Sequence, residues 1–406
     1  MTDLEKSILD QAYNHFVNSN DYNGLANYNL QSDFSCEEVS KAIINLIDAD
    51  YINIADGRYS INPHIIHRSF PSKKEQQTLF ENKANKSFCI YPSETYLKAH
   101  RNTDSLANKP FDKMMALGFP QLKALYFTPD VLVKYSIDPR FHFTFNDYYG
   151  KIHSTDDNAP QESIFLETFG IGRNRQERVI VSFPRCLRKM SPQNQVHWAS
   201  YLIEDSSNCE TLQNYLDNAL YGNWNFIQTV YMAILQEIEN ISVLTKGIWG
   251  HSFFRNTFKK EELEGFDMLF LPTKNMYNQF IMLLEKITVS NIDDKFFDTI
   301  QWNRIGDDGK MKGSMLCLKE WLNVVTSSDV KDDIVNPLKE LRHERQCPAH
   351  VIEGNEYSTD YLQVQNKFSN SIYGSLNLFR GLLQTHPKAK EIKIPYDNTQ
   401  YYVVKY

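Results

Sequence analysis

Phe368, Ile372, Leu376, Phe379 and Leu383 recur at steps of three or four residues, so all of them fall on one side of a helix several turns long. Such a stripe folds only against other apolar stripes. Tyr277, Phe280, Ile281, Leu284 and Ile287 supply a second. Met315, Leu318, Leu322 and Val325, after Ser314, supply a third, and Leu338 with Leu341 anchors a fourth. Asn336-Pro337 reads as the start of that fourth helix, with Asn336 as cap and Pro337 at the first helical position. Ser358 or Thr359 is placed to cap the long helix. The pattern predicts an antiparallel four-helix bundle over residues 271–387.

The preceding residues read differently. Ile8, Leu9, Ala12 and Phe16 mark a helix, and Ser35 with Glu38 writes a capping box for a second, with Phe34 placed to staple onto Val39. Its apolar face runs through Ile43, Leu46 and Ile47. Tyr51 to Ile54 and Arg58 to Ile61 flank Asp56-Gly57 as strand, turn and strand. Residues 1–70 thus resemble a winged helix-turn-helix module. Its second helix carries Glu37, Glu38, Asp48 and Asp50 against Lys41, which repels phosphate and favours contact with a protein partner or a second copy. Polar residues at 71–87 read as a linker or an exposed helix. Strand-like runs at Cys89 to Tyr91, Phe141 to Phe145, Ile164 to Phe169 and Val179 to Phe183, with helices at Phe111 to Ala116 and Pro129 to Tyr135, suggest an α+β domain over 88–205. A helical connector, notably Phe226 to Ile241, fills 206–270. A tail at 388–406 pairs Glu391 to Pro395 with Tyr401 to Lys405 as a small hairpin, with Lys388, Lys390, Lys393 and Lys405 beside its tyrosines. The expected fold class is multidomain and mainly α with an α+β middle.

A net charge of −7 argues against a broadly basic surface for long nucleic acid, so any such contact is local. The 6 cysteines form no C-x-x-C pair and signal neither a disulfide framework nor a zinc knuckle. No apolar run reaches the ~20 residues of a membrane span, and the N-terminus is polar, so a cytoplasmic chain with no membrane insertion is expected. Gly170-Ile171-Gly172 lacks the third glycine of a nucleotide loop and reads as a β-turn, followed by Arg173, Arg175 and Arg178. His64-Ile65-Ile66-His67 has metal-like helical spacing but no third ligand nearby in sequence, and is read as structural.

Chemistry concentrates at Glu340-Leu341-Arg342-His343-Glu344-Arg345-Gln346-Cys347-Pro348-Ala349-His350. Pro348 ends or kinks the helix, which can re-aim His350 toward the side of Arg345. An imidazole can take a proton from a ribose 2′-OH or give one to the leaving oxygen, and a guanidinium can stabilise the charge gathered on phosphorus-bound oxygens. Neither role requires a metal or other cofactor. Arg58 and His64, and Arg380 and His386, have similar loose spacing. Their contexts, a β-turn and the end of a long helix, fit the role less well than a helix break beside Arg342 and His343.

Arg345 to His350 is similar to the R-x(4–6)-H signature of HEPN ribonucleases, with Gln346 where that family commonly has Asn, Asp or His. The resemblance implies a helical bundle that dimerises to line one cleft with two motifs. It also implies metal-independent cleavage of RNA and a role as a toxin or in phage defence. In those terms Arg345 and His350 are catalytic, and Arg342, His343 and Gln346 contact the RNA. The alternative is a non-catalytic regulatory or binding protein built from the same modules.

Overall fold

Thr2 and Ser35 open their helices by the same reciprocal device. Thr2 Oγ1 accepts from Glu5 N at 3.2 Å while a Glu5 carboxylate oxygen accepts from Thr2 N at 2.8 Å. Ser35 and Glu38 repeat the exchange at 3.0 and 3.3 Å, as the capping box predicts. Phe34 stays half exposed, so no tight staple accompanies that box. A computed structural model describes residues 1–58, 60–61, 66–67, 69–81, 87–146, 148–155, 162–175, 177–222, 228–346 and 354–396. They form two compact units, residues 1–224 and 225–406, and helices predominate over strands.

The first unit begins with α1 (Asp3–Asn18), β1 (Leu25–Ala26), α2 (Cys36–Asp48), β2 (Ile52–Asp56), the short strands β3 (Ser60–Ile61) and β4 (Ile66–His67), α3 (Lys73–Glu81) and β5 (Phe88–Pro92). Three expectations change here. β2 does not pair with the strand after Asp56-Gly57; it pairs antiparallel with β5, and β3 pairs with β4. The turn itself is present, with Asp56 Oδ1 accepting from Arg58 N at 3.0 Å. Phe88, where a new domain was expected, instead opens the central strand of the sheet β1-β5-β2, and every residue of that strand is buried, as a strand covered on both faces requires. Residues 73–81 are a docked helix within the expected linker. Gln76, 1% exposed, accepts from the Ile54 amide at 2.8 Å and covers the open edge of β2. His67 lies on a strand, so helical metal spacing with His64 does not arise there, and His64 itself is outside the described residues.

The unit continues through α4 (Glu94–His100), α5 (Pro110–Ala116), β6 (Leu125–Phe127), α6 (Val133–Ile137), β7 (Phe141–Asn146), β8 (Tyr149–Ser154), β9 (Phe165–Asn174), β10 (Glu177–Ser182), α7 (Pro184–Leu187), α8 (Pro192–Ala199), β11 (Cys209–Thr211) and α9 (Gln213–Ala219). The antiparallel order is β6-β10-β9-β8-β7, with β11 on the far end of β9. Gly170 and Gly172 lie inside β9 and not in a turn. Their missing side chains are explained by close approach. A Cβ on Gly170 would sit 2.2 Å from the ring of Tyr215, a fully buried side chain of α9. Gly170→Ala is therefore expected to cost about 1–3 kcal/mol or more in chemical denaturation, as overpacking does.

Arg188 joins the early and later parts of this unit. Its Nε donates to Asp112 at 3.0 Å and its Nη1 to Asp21 at 3.0 Å, while Tyr22 O–H donates to Asp112 at 3.2 Å. The guanidinium groups of Arg101 and Arg188 lie 4.8 and 5.1 Å from the Tyr22 ring. The 88–205 segment is thus not a free-standing layer.

The second unit comprises α10 (Val230–Trp249), α11 (Lys274–Ile287), α12 (Asp294–Thr299), α13 (Ser314–Val325), α14 (Ser328–Gln346) and α15 (Asp360–Gln384). The stripes predicted on α11 and α15 are buried throughout, and those on α13 and α14 are buried except for Val325. α10 belongs to the bundle and is no connector, because it packs along α15. α14 begins at Ser328, so Asn336-Pro337 is interior and caps nothing. Ile334 and Val335 before the proline and Leu338 and Leu341 after it are all buried. Burying four such side chains, at about 1.5–3 kcal/mol each, outweighs the ~3 kcal/mol cost of an interior proline. The tail departs from expectation as well. Pro387–Glu391 is a 3-10 turn and 392–396 forms no strand. Instead Asn240 of α10 exchanges hydrogen bonds with the backbone of Tyr396 at 2.9 and 3.1 Å. The partner arm at 401–405 lies outside the described residues. No described helix is long and apolar enough to cross a membrane.

Candidate functional site

The last turn of α14 exposes Arg342, His343, Arg345 and Gln346 and half-buries Glu344. Helical geometry sorts them. Arg345 follows Leu338 by seven residues and Leu341 by four, which puts it within about 40° of both. It therefore continues the core-facing stripe just past the point where the core ends. Arg342 lies about 60° from Arg345, Gln346 about 100° and His343 about 160°. The helix brings the two guanidinium groups toward one side and sends His343 to the other. His343 and Arg345 accordingly do not converge on one phosphate from this helix. Cys347-Pro348-Ala349-His350 lies outside the described residues, which stop at Gln346 and resume at Gly354.

Tyrosines and carboxylates that sequence spacing does not connect hold the surroundings in place. Tyr277 of α11 donates its O–H to Glu344 at 3.0 Å, fixing the last turn of α14. Its ring stacks on Tyr361 of α15, with centroids 5.0 Å apart. Tyr361 in turn donates to Glu356 at 2.6 Å, while Lys274 Nζ lies 3.9 Å from the same carboxylate. Backbone bonds from Lys274 N to Glu356 O at 2.9 Å and from Ser358 N to Pro272 O at 3.0 Å pin the chain after 354 against the start of α11. Glu344 on one side and Glu356 and Ser358 on the other are therefore held by α11 and the residues just before it.

The hydrogen bond to Glu356 keeps the Tyr361 phenol protonated and pushes its pKa up to about 12. A pKa raised on folding stabilises fully below the ordinary tyrosine value near 10 and is lost as pH rises through about 12. Glu356→Gln is expected to bring this titration back toward 10, read as the difference in phenolate absorbance between the two proteins.

The other two loosely spaced pairs are accounted for structurally. Arg380 is buried and its Nε donates to Glu237 at 2.7 Å, so its charge is neutralised inside the bundle. His386 Nδ1 accepts from Lys388 N at 3.3 Å and caps the 3-10 turn. Arg58 pairs with Asp56 at 3.0 Å. A recess of about 300 Å³ lined by Phe258, Leu263, Leu283 and Ile287, with Glu262, Glu264 and Lys286, includes none of the α14 residues.

Compared with family models, with curated proteins and with solved structures, the chain gives no match.

Proposed function

We propose that this chain is a metal-independent endoribonuclease of HEPN type. In this reading the second unit pairs with its copy in a homodimer, and the exposed ends of α14 face RNA across the shared groove. His350 takes the proton from the 2′-OH or supplies one to the leaving oxygen, Arg345 stabilises the charge on the phosphoryl oxygens, and Arg342 orients the phosphate. Gln346 and His343 contact flanking parts of the RNA. Attack by the 2′-oxygen leaves a cyclic 2′,3′-phosphate, and the family resemblance implies a role as toxin or phage-defence effector. The observation that carries the reading is the position of Arg345, with Arg342 beside it, at the exposed end of a helix whose remaining stripe is buried in a helical bundle. The test is RNA cleavage by the purified chain in EDTA, wild type against His350→Ala. Equal cleavage by both removes the assignment.

A second reading rests on a different observation. Along α2, Glu37, Glu38 and Asp48 are exposed, and Lys41 is engaged by Glu37 at 3.2 Å. An acidic face of this kind repels nucleic acid and suits a basic protein partner, so the winged-helix-like module serves protein contact. Stable capture of a protein by a chain that cleaves no RNA favours a purely regulatory role.

A further inference from the structure

His142 and His153 sit directly opposite each other on β7 and β8, and Phe165 of β9 is the next residue in the same row. Side chains alternate between faces along a strand, so this row projects from one face of the sheet, the face away from buried Phe141, Phe145 and Ile152. His142 is exposed and His153 half-buried. The two rings are 5.0 Å apart between centroids, tilted by 39°. Among the described residues neither imidazole has a hydrogen-bond partner. Two neighbouring imidazoles with free nitrogens on an open sheet face are the elements of a chelate.

The spacing can be compared with what an ion demands. A metal–nitrogen bond of about 2.0–2.1 Å plus roughly 1.1 Å from nitrogen to ring centre sets each centroid about 3.2 Å from a shared ion. Nitrogen–metal–nitrogen angles of about 90–109° then put the centroids about 4.5–5.2 Å apart. The observed separation falls inside that interval.

We propose that His142 and His153 form a surface site for a divalent transition-metal ion that favours imidazole, of the Cu²⁺, Ni²⁺ or Zn²⁺ class, each ring giving one nitrogen and water completing the coordination. Among the described residues no cluster of three or more metal-binding side chains is assembled, so these supply two ligands. Phe165, 58% exposed, gives one apolar flank. Lys151, two residues from His153 on the same face and opposite Thr144, weakens the site by repulsion.

The test is isothermal titration of the full, chelator-stripped chain with Ni²⁺, comparing wild type with His142→Thr, His153→Thr and the double variant. Threonine keeps the strand preference of an exposed position. The wild type is expected to bind one equivalent more than the double variant, and each single variant to weaken that event by at least about tenfold as the chelate is lost. Ni²⁺ is also expected to raise the thermal midpoint of the wild type and not of the single variants. Lys151→Gln is expected to tighten binding, a gain that no folding defect can mimic. Equal stoichiometry and affinity in wild type and double variant, or single variants that bind as the wild type does, overturn the proposal.

Discussion

Replacing Arg380 with alanine is expected to cost about 3–5 kcal/mol of stability, because it strands a carboxylate that has no water to turn to. Glu237 is 0% exposed, and its oxygens are taken by Arg380 Nε at 2.7 Å and Asn377 Nδ2 at 3.0 Å. Arg380 also donates from Nη1 to Gln384 at 2.8 Å, so one guanidinium ties α10 to α15 and braces the last turn of α15. Burial first, and the Glu237 charge next, push the Tyr373 phenol pKa up. Urea unfolding of Arg380→Ala against wild type measures the loss. The double variant Glu237→Leu/Arg380→Met is expected to recover most of it, since an apolar pair of similar size needs no compensation. A single-variant loss under about 1 kcal/mol would mean that water reaches Glu237 and that the pair is no structural lock.

That buried pair also shows where sequence reading is sufficient and where it stops. The α15 stripe is legible because its cause is local: Phe368 to Leu383 repeat with the period of the helix itself, whatever they pack against. The capping box at Ser35 is local for the same reason. Arg380 and Arg345 cannot be told apart by spacing to a histidine. What separates them is Glu237, 143 residues from Arg380 and opposite it in space. Non-local causes account for the other differences. β5 belongs with β1 and β2 because of strand pairing across more than thirty residues. α3 reads as a linker or an exposed helix because it is mostly polar, yet it docks, its buried glutamine satisfying the edge of β2. The glycines of β9 resemble a turn until Tyr215 is seen against them.

The same distinction runs through the candidate site. Arg342 and Arg345 are visible as a cationic helix end. The brace of Tyr277, Glu344, Tyr361 and Glu356 is not, because Tyr277 and Glu344 are 67 residues apart. Nor does sequence reveal the His142 and His153 pair, which exists only in the β7–β8 register. Strand alternation marks His142 as outward-facing, His153 lies on a strand that the sequence pattern does not announce, and only the pairing makes them neighbours.

Under the proposed ribonuclease reading, Arg345→Ala is expected to lower RNA cleavage by about 10²–10³-fold, the usual loss when one preorganised donor to a developing oxyanion is removed. Stability should hardly change, since the side chain is exposed and lies beyond the last core residue of α14, Leu341. That combination distinguishes it from Arg380→Ala, which is expected to unfold the bundle first and to affect cleavage only through the fraction unfolded. Arg345→Lys keeps the charge but loses the planar fork that meets two phosphoryl oxygens at once, so its activity is expected between wild type and Arg345→Ala. If Arg342 orients the phosphate in ground and transition state alike, as proposed, Arg342→Ala is expected to weaken RNA binding more than the chemical step. Single-turnover cleavage of a defined RNA, with unfolding curves on the same preparations, measures both quantities. If Arg345→Ala and Arg345→Lys both cleave at the wild-type rate while remaining folded, Arg345 takes no part in the reaction and the exposed end of α14 is a contact surface.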